Sequence, residues 1–168
     1  MSVNEKKNMK TALFLFMALS IFSCKNDKKA EPKLHAENYT STLNDQAWNG
    51  LMEIQRNDQD DSLTFLAIVQ PGNEEVLFMR IKFDGVGSYS LNKGQASYYS
   101  TVGRDVIVSR YALAPHVTGQ LTITNYDAYH KQVEGTFDIS LVKNYSNGDK
   151  KPDTLRFRNG LFKGKLKN

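Results

Sequence analysis

From Asn38 to the C-terminus the chain is a train of short runs rich in Val, Ile, Thr, Tyr and Phe, broken by Gly, Asn, Asp and Pro. This texture limits the fold more than any other feature. In Val133-Glu134-Gly135-Thr136-Phe137-Asp138-Ile139-Ser140-Leu141 every second residue is apolar or Gly, the two-residue period of a half-buried strand. Leu121-Thr122-Ile123-Thr124 and Leu155-Arg156-Phe157-Arg158 repeat it. Further strands are predicted at Tyr39 to Leu43, Leu51 to Gln55, Leu63 to Val69, Val76 to Phe83, Ser88 to Leu91, Ala96 to Ser100 and Val106 to Tyr111. Turn chemistry falls between them, at Asn57-Asp58-Gln59-Asp60-Asp61, Pro71-Gly72-Asn73, Asp84-Gly85-Val86-Gly87, Asn92-Lys93-Gly94 and Ser146-Asn147-Gly148-Asp149. Leu63 to Val69 is apolar at nearly every position, which predicts a central strand, and Gly135 inside a strand predicts a bulge or a close backbone approach. Helical periodicity is lacking. Many closely spaced strands with no helices to cover parallel crossovers predict an all-β fold, one antiparallel β-sandwich or barrel-like domain over residues 38–168.

The N-terminal end is of another kind. Residues Thr11 to Phe22 form an apolar segment of 12 residues behind Lys6, Lys7 and Lys10. A spanning helix needs about 20 apolar residues, so the segment reads as the core of a secretory signal, with Met1 or Met9 as its start. It ends in Ile21-Phe22-Ser23-Cys24, which holds the sole Cys and resembles the cleavage box of bacterial lipoproteins. The resemblance implies a diacylglycerol on the Cys24 thiol, cleavage before Cys24, and a further acyl chain, such as palmitate, on the new amino group. Two or more chains hold firmly where one is marginal, since each buried CH₂ contributes about 0.8 kcal/mol. The alternative is a buried free Cys near the end of an uncleaved anchor. With no second thiol there is no disulfide. Residues 25–37 are charged and nearly free of apolar side chains, the composition of a tether, and reach about 40 Å at most. The expected organisation is therefore a signal over residues 1–23, a lipidated Cys and tether over 24–37, and the β domain over 38–168. Outer-membrane anchorage is expected, with the cell surface favoured over the periplasmic leaflet because Lys25-Asn26-Asp27 resembles a diluted form, one acid followed by two lysines, of the acidic stretch after the Cys in surface-exported lipoproteins.

The blocks Leu43-Asn44-Asp45-Gln46-Ala47-Trp48, Gly87-Ser88-Tyr89-Ser90-Leu91, Gly119-Gln120-Leu121-Thr122-Ile123-Thr124, Val133-Glu134-Gly135-Thr136-Phe137-Asp138-Ile139 and Asn159-Gly160-Leu161-Phe162 occur in an order that resembles an uncharacterised domain family. That family belongs to secreted lipoproteins of Bacteroidetes and is a domain of unknown function. Two positions depart from it: Asp45 stands where Gly is usual, and Asn125-Tyr126 where a Thr-Lys pair is usual. The resemblance carries over no functional residue. Read from the residues, Trp48 is a core anchor after the first turn, and Asn44-Asp45 suits the positive φ of a tight hairpin.

The formal charge of +4 and pI near 9.1 bring nucleic acid to mind. Once residues 1–23 are removed, 19 basic and 17 acidic residues remain, and no nucleic-acid partner is expected. His35, His116 and His130 lack metal-ligand spacing, no Gly-x-Ser-x-Gly elbow occurs, and Asp58, Asp60 and Asp61 lack the Gly and distal Glu of a calcium loop. No metal, no catalytic residue and no cofactor beyond the covalent lipid is expected. Arg156 and Arg158, and then Lys163, Lys165 and Lys167, fall at every second position within two runs, as on a solvated outer face or a Lys-protected edge strand. After Cys24 there are eight Tyr, and Tyr98 and Tyr99 must point to opposite faces of a strand. Tyr98, Tyr99, Tyr126 and Tyr129 are the candidate ligand-binding residues, because exposed aromatic faces suit sugar rings. Asp61-Ser62-Leu63 and Asp153-Thr154-Leu155 resemble O-glycosylation acceptors. The expected function is that of a membrane-anchored envelope lipoprotein with a binding or structural accessory domain and no enzymatic role. Its partners are membrane lipid and either a glycan or another envelope protein. A carbohydrate-binding surface module is one alternative; a hydrolase or enzyme inhibitor is another.

Overall fold

The computed structural model describes residues 37–167 apart from Pro71 and Asn73. These residues form β1 (Asn38–Leu43), β2 (Gln46–Asn57), β3 (Ser62–Val69), β4 (Glu75–Lys82), β5 (Gly87–Leu91), β6 (Ala96–Val102), β7 (Val106–Ala112), β8 (Gly119–Asp127), β9 (Gln132–Ser146) and β10 (Thr154–Lys167). Each sits on one of the ten runs read from the sequence. The boundaries lie further out: β2 already contains Trp48, and β9 and β10 extend to 15 and 14 residues.

The pairings close a ring, β1 to β2, β3, β4, β6, β7, β9, β10 and back to β1. A ring of about eight strands has an interior just wide enough for side chains to fill, so the domain is barrel-like. β9 is long enough to serve two neighbours on one side. Its first half pairs with β8 and its second with β7, while β5 pairs with β8. The ladders are antiparallel except where β10, running past the start of β1, meets β2 in parallel at Leu166 and Lys167. The β1–β2 turn has φ of 48° at Asn44 and 66° at Asp45, the positive values a tight hairpin turn demands.

Alternation sends one set of side chains inward from every strand. Phe65 of β3 meets Phe162 of β10 at 5.3 Å between ring centroids, and Phe157 of β10 meets Tyr98 of β6 at 5.8 Å, so the interior is bridged wall to wall. At Gly135 the expected close approach of another backbone is present, and the irregularity lies in the facing strand β8 rather than in β9. A Cβ there would lie 2.1 Å from the Thr122 carbonyl oxygen and 2.6 Å from the Phe162 ring, and β8 bulges beside it between Ile123 and Asn125.

One expectation is corrected. β10 is not an edge strand, since β1 and β9 flank it on both sides. Its alternating cations do face outward, where Arg158 pairs with Asp138 and Lys163 with Glu134 across the β9 ladder.

Candidate functional site

The four tyrosines singled out above are not gathered on one face. Tyr98 points inward with 0% exposure and offers no ring to solvent, which corrects its reading as a surface platform. Tyr99, next along β6, faces outward and is half-buried. Tyr126 is half-buried at the end of β8, edge-on to Phe83 at 5.0 Å. Tyr129 is 90% exposed in the β8–β9 turn, with its ring against His130. Cys24 lies outside the described residues.

Other sequence candidates are engaged locally. The His130 Nδ1 lies 2.6 Å from Asp127 Oδ2, and hydrogen bonds from the His130 backbone and side chain hold the Asp127 carboxyl below its ordinary range. His116 is exposed in the loop after β7 with φ of 64°. In the acidic turn, Arg56 pairs with Asp58 and Asp61 while Arg80 pairs with Asp60. Hydrogen bonding from Ser62, and then Arg80, keeps the Asp60 carboxyl below its ordinary value. The turn is thus an arginine-paired hairpin, and no group of three or more metal-ligating side chains exists among the described residues. Ser62 is 5% exposed, which hides its hydroxyl from a modifying enzyme.

What the fold does bring together is a polar cluster set on an aromatic ladder. Tyr39, Trp48, Phe157, Tyr98 and Tyr111, from β1, β2, β10, β6 and β7, follow one another at centroid spacings of 4.6, 4.8, 5.8 and 5.6 Å. Glu75, at the start of β4, accepts the Trp48 indole N–H at 3.2 Å through Oε2 and forms an ion pair with Lys151 through Oε1. Lys151 Nζ also donates to the Tyr98 hydroxyl at 2.7 Å and sits 5.2 Å from that ring's centroid. The Tyr111 hydroxyl donates to the Pro152 carbonyl at 2.9 Å, which ties the β9–β10 connection to the ladder. Tyr39 ends the series differently: its hydroxyl is buried and has no hydrogen-bond partner among the described residues. Burial, and then the charge of Glu75, push the Tyr39 and Tyr98 phenols far above their ordinary value. Burial, followed by Asp149 and Asp153, pushes Tyr111 up to about 12.

Over this cluster lies a depression of about 380 Å³, lined by Asn44, Gln46, Trp48, Glu75, Lys151 and their neighbours. A second, of about 460 Å³, opens on the polar wall of β8, β9 and β10. A third, of about 370 Å³, lies at the bulges of β6 and β7 beside Tyr99, Ile107 and Arg110.

A family model described as "Domain of unknown function (DUF6252)" matches residues 32–164. The chain belongs to the DUF6252 family. No curated protein and no solved structure matches it. The matched span of the DUF6252 domain takes in β1 through most of β10, so the ring and its polar cluster lie within it. In this domain the Glu75 carboxylate accepts from both the Lys151 ammonium and the Trp48 indole. The Tyr98 phenol stays protonated and donates or accepts hydrogen bonds. That chemistry suits holding a polar group or locking the wall. Sequence reading missed the cluster because Glu75 and Lys151 are 76 positions apart and Lys151 sits in a turn-like Lys-Pro stretch. One signal was there: a buried Trp needs an acceptor for its N–H.

Proposed function

We propose that this DUF6252 protein is a lipid-anchored lipoprotein of the bacterial outer membrane, held at the cell surface by Cys24, whose β domain acts by binding or as a structural accessory rather than by catalysis. The observation that carries this reading is the run Ile21-Phe22-Ser23-Cys24, placed after a 12-residue apolar segment and before a charged tether. A domain whose interior is packed with aromatic and aliphatic side chains supports the second half, since its working surface is then its exterior. Metabolic labelling of the full chain with a fatty acid tests the anchor: label is incorporated into the natural sequence and lost in Cys24→Ser. Incorporation that persists in Cys24→Ser overturns it. Protease treatment of intact cells separates the two leaflets, with digestion expected.

The depression above Trp48 favours a second reading, a glycan-binding module, because amide, carboxylate and ammonium groups surround an aromatic edge there. Binding to a panel of envelope polysaccharides that is lost in Gln46→Ala, with the fold intact, would support it. Silence across the panel would remove it.

A further inference from the structure

The outside of the ring has two unlike halves. On β1, β8, β9 and β10 the outward positions are Thr, Ser, Gln, Asp, Glu, Arg and Lys almost throughout, knitted by Arg158–Asp138 and Lys163–Glu134. On β2, β3, β4 and β6 the outward positions hold Leu51, Leu66, Ile68, Val76, Phe78 and Tyr99 beside the polar Glu53, Gln55, Thr64, Arg80 and Ser97; of the six apolar or aromatic ones Val76 is 5% exposed and the others are half-buried. The register joins them into a sheet face. Leu51 opposes Ile68, Ile68 opposes Val76, Val76 opposes Tyr99, and Leu66 opposes Phe78. The face continues over Arg110 to Tyr145, with the guanidinium 6.0 Å from the ring centroid and Tyr145 47% exposed. Eight strands form the ring, and the other two, β5 and β8, pair with each other and with β9 rather than with β2, β3, β4 or β6. Contiguous outward apolar surface of this kind marks an interaction site.

Three observations select a lipid surface as the occupant. The chain leading to Cys24 leaves the wall at Asn38, directly opposite Leu51, and the Glu37 carbonyl accepts the Met52 N–H beside it. The tether therefore departs from the margin of the apolar half. From β1 to β6 the face spans four strand spacings, roughly 20 Å, well within the tether's reach of about 40 Å. The margin carries Arg110 over Tyr145, the pairing of amphipathic aromatic and cation that suits the boundary between hydrocarbon and water. The polar half, opposite, remains turned to solvent.

We propose that the outer face of β2, β3, β4 and β6 rests on the lipid surface to which Cys24 ties the chain. This rests on the anchor reading above, and the two fail in different ways. In an acylated chain the Cys24 sulfur is a thioether, so an introduced Cys is the one reactive thiol. The test uses the full acylated chain reconstituted in phosphatidylethanolamine–phosphatidylglycerol vesicles, with an environment-sensitive fluorophore on Ile68→Cys or, on the polar wall, on Thr136→Cys. Nitroxide-bearing lipids are expected to quench the Ile68→Cys label several-fold more than the Thr136→Cys label, while both variants keep the near-ultraviolet circular dichroism of the natural chain. Equal quenching at the two positions, or stronger quenching at Thr136→Cys, overturns the proposal. So does Ile68→Cys forming disulfides between chains without lipid quenching, which would assign the face to a second copy. Thiol labelling of the natural chain under denaturing conditions reports separately on the anchor: uptake of label means that Cys24 is free and that the anchor reading has failed.

Discussion

Gly135→Ala places the packing of the ring under direct test. Gly135 lies on β9 between β8 and β10, opposite Ile123 on one side and Phe162 on the other. The added methyl would sit 2.1 Å from the Thr122 carbonyl oxygen, and 2.6 and 2.9 Å from two carbons of the Phe162 ring. Phe162 is 1% exposed and packed edge-on to Phe65, so neither it nor the ladder backbone can step aside cheaply. Overpacking a core costs about 1–3 kcal/mol, and a clash with backbone belongs at the upper end or just beyond, so about 3 kcal/mol is expected. Gly119→Ala is the control: its methyl would meet only the Ile139 side chain, at 3.2 and 3.3 Å, and the entropy removed from the unfolded chain offsets part of the crowding. It should stay within about 1 kcal/mol of the natural chain. Trp48, the sole Trp and 6% exposed, reports unfolding through its fluorescence in urea. With a slope of about 2 kcal/mol per molar, the midpoint should fall by roughly 1.5 M for Gly135→Ala. A Gly135→Ala chain as stable as the natural one, or a Gly119→Ala chain that is the weaker of the two, would refute the close approach of β8 and β9.

Further outcomes concern the polar cluster. Glu75→Gln removes the counter-charge of Lys151; with both side chains a little over a quarter exposed, solvent relieves part of the loss, and about 1–2 kcal/mol should disappear from the urea stability. In a cycle with Lys151→Met the two effects should be non-additive, and strict additivity would deny the contact. Tyr39→Phe deletes a buried hydroxyl that has no partner among the described residues, so it should leave stability unchanged or raise it by up to about 2 kcal/mol, whereas Tyr98→Phe should lose about 1 kcal/mol with the Lys151 bond. The raised phenols fix the alkaline limit. Each binds its proton more tightly folded than unfolded, so its contribution is full below the ordinary value near pH 10 and is lost as pH climbs toward 12 and beyond. Three such groups give a fall of about 4 kcal/mol per pH unit in that window. Tyrosinate absorbance should therefore show a late step coincident with the Trp48 unfolding signal, and smooth titration with Trp48 still buried would contradict it.

The ten strands were legible because alternation is a local property, and each run carries its own inside and outside. What closes the ring was not, since nothing near β10 announces that β1 and β9 will both pair with it. The basic stripe from Arg156 to Lys167 looked like an edge because the partners Glu134 and Glu53 come from other strands. The direction of Tyr98 was equally hidden, as one of two adjacent tyrosines had to face inward and the pattern of Ala96-Ser97-Tyr98-Tyr99-Ser100 does not say which. The most telling segment is Leu63 to Val69, where alternation fails because nearly every residue is apolar. In β3 Leu63, Phe65 and Ala67 are at 0% exposure inside the ring, while Leu66 and Ile68 belong to the outer face. A strand with only water outside would carry polar residues at those outer positions, as β9 does with Glu134, Thr136, Asp138 and Ser140. The failure of period in β3 is therefore the sequence trace of that outer apolar row, on the half of the barrel proposed above to rest on lipid.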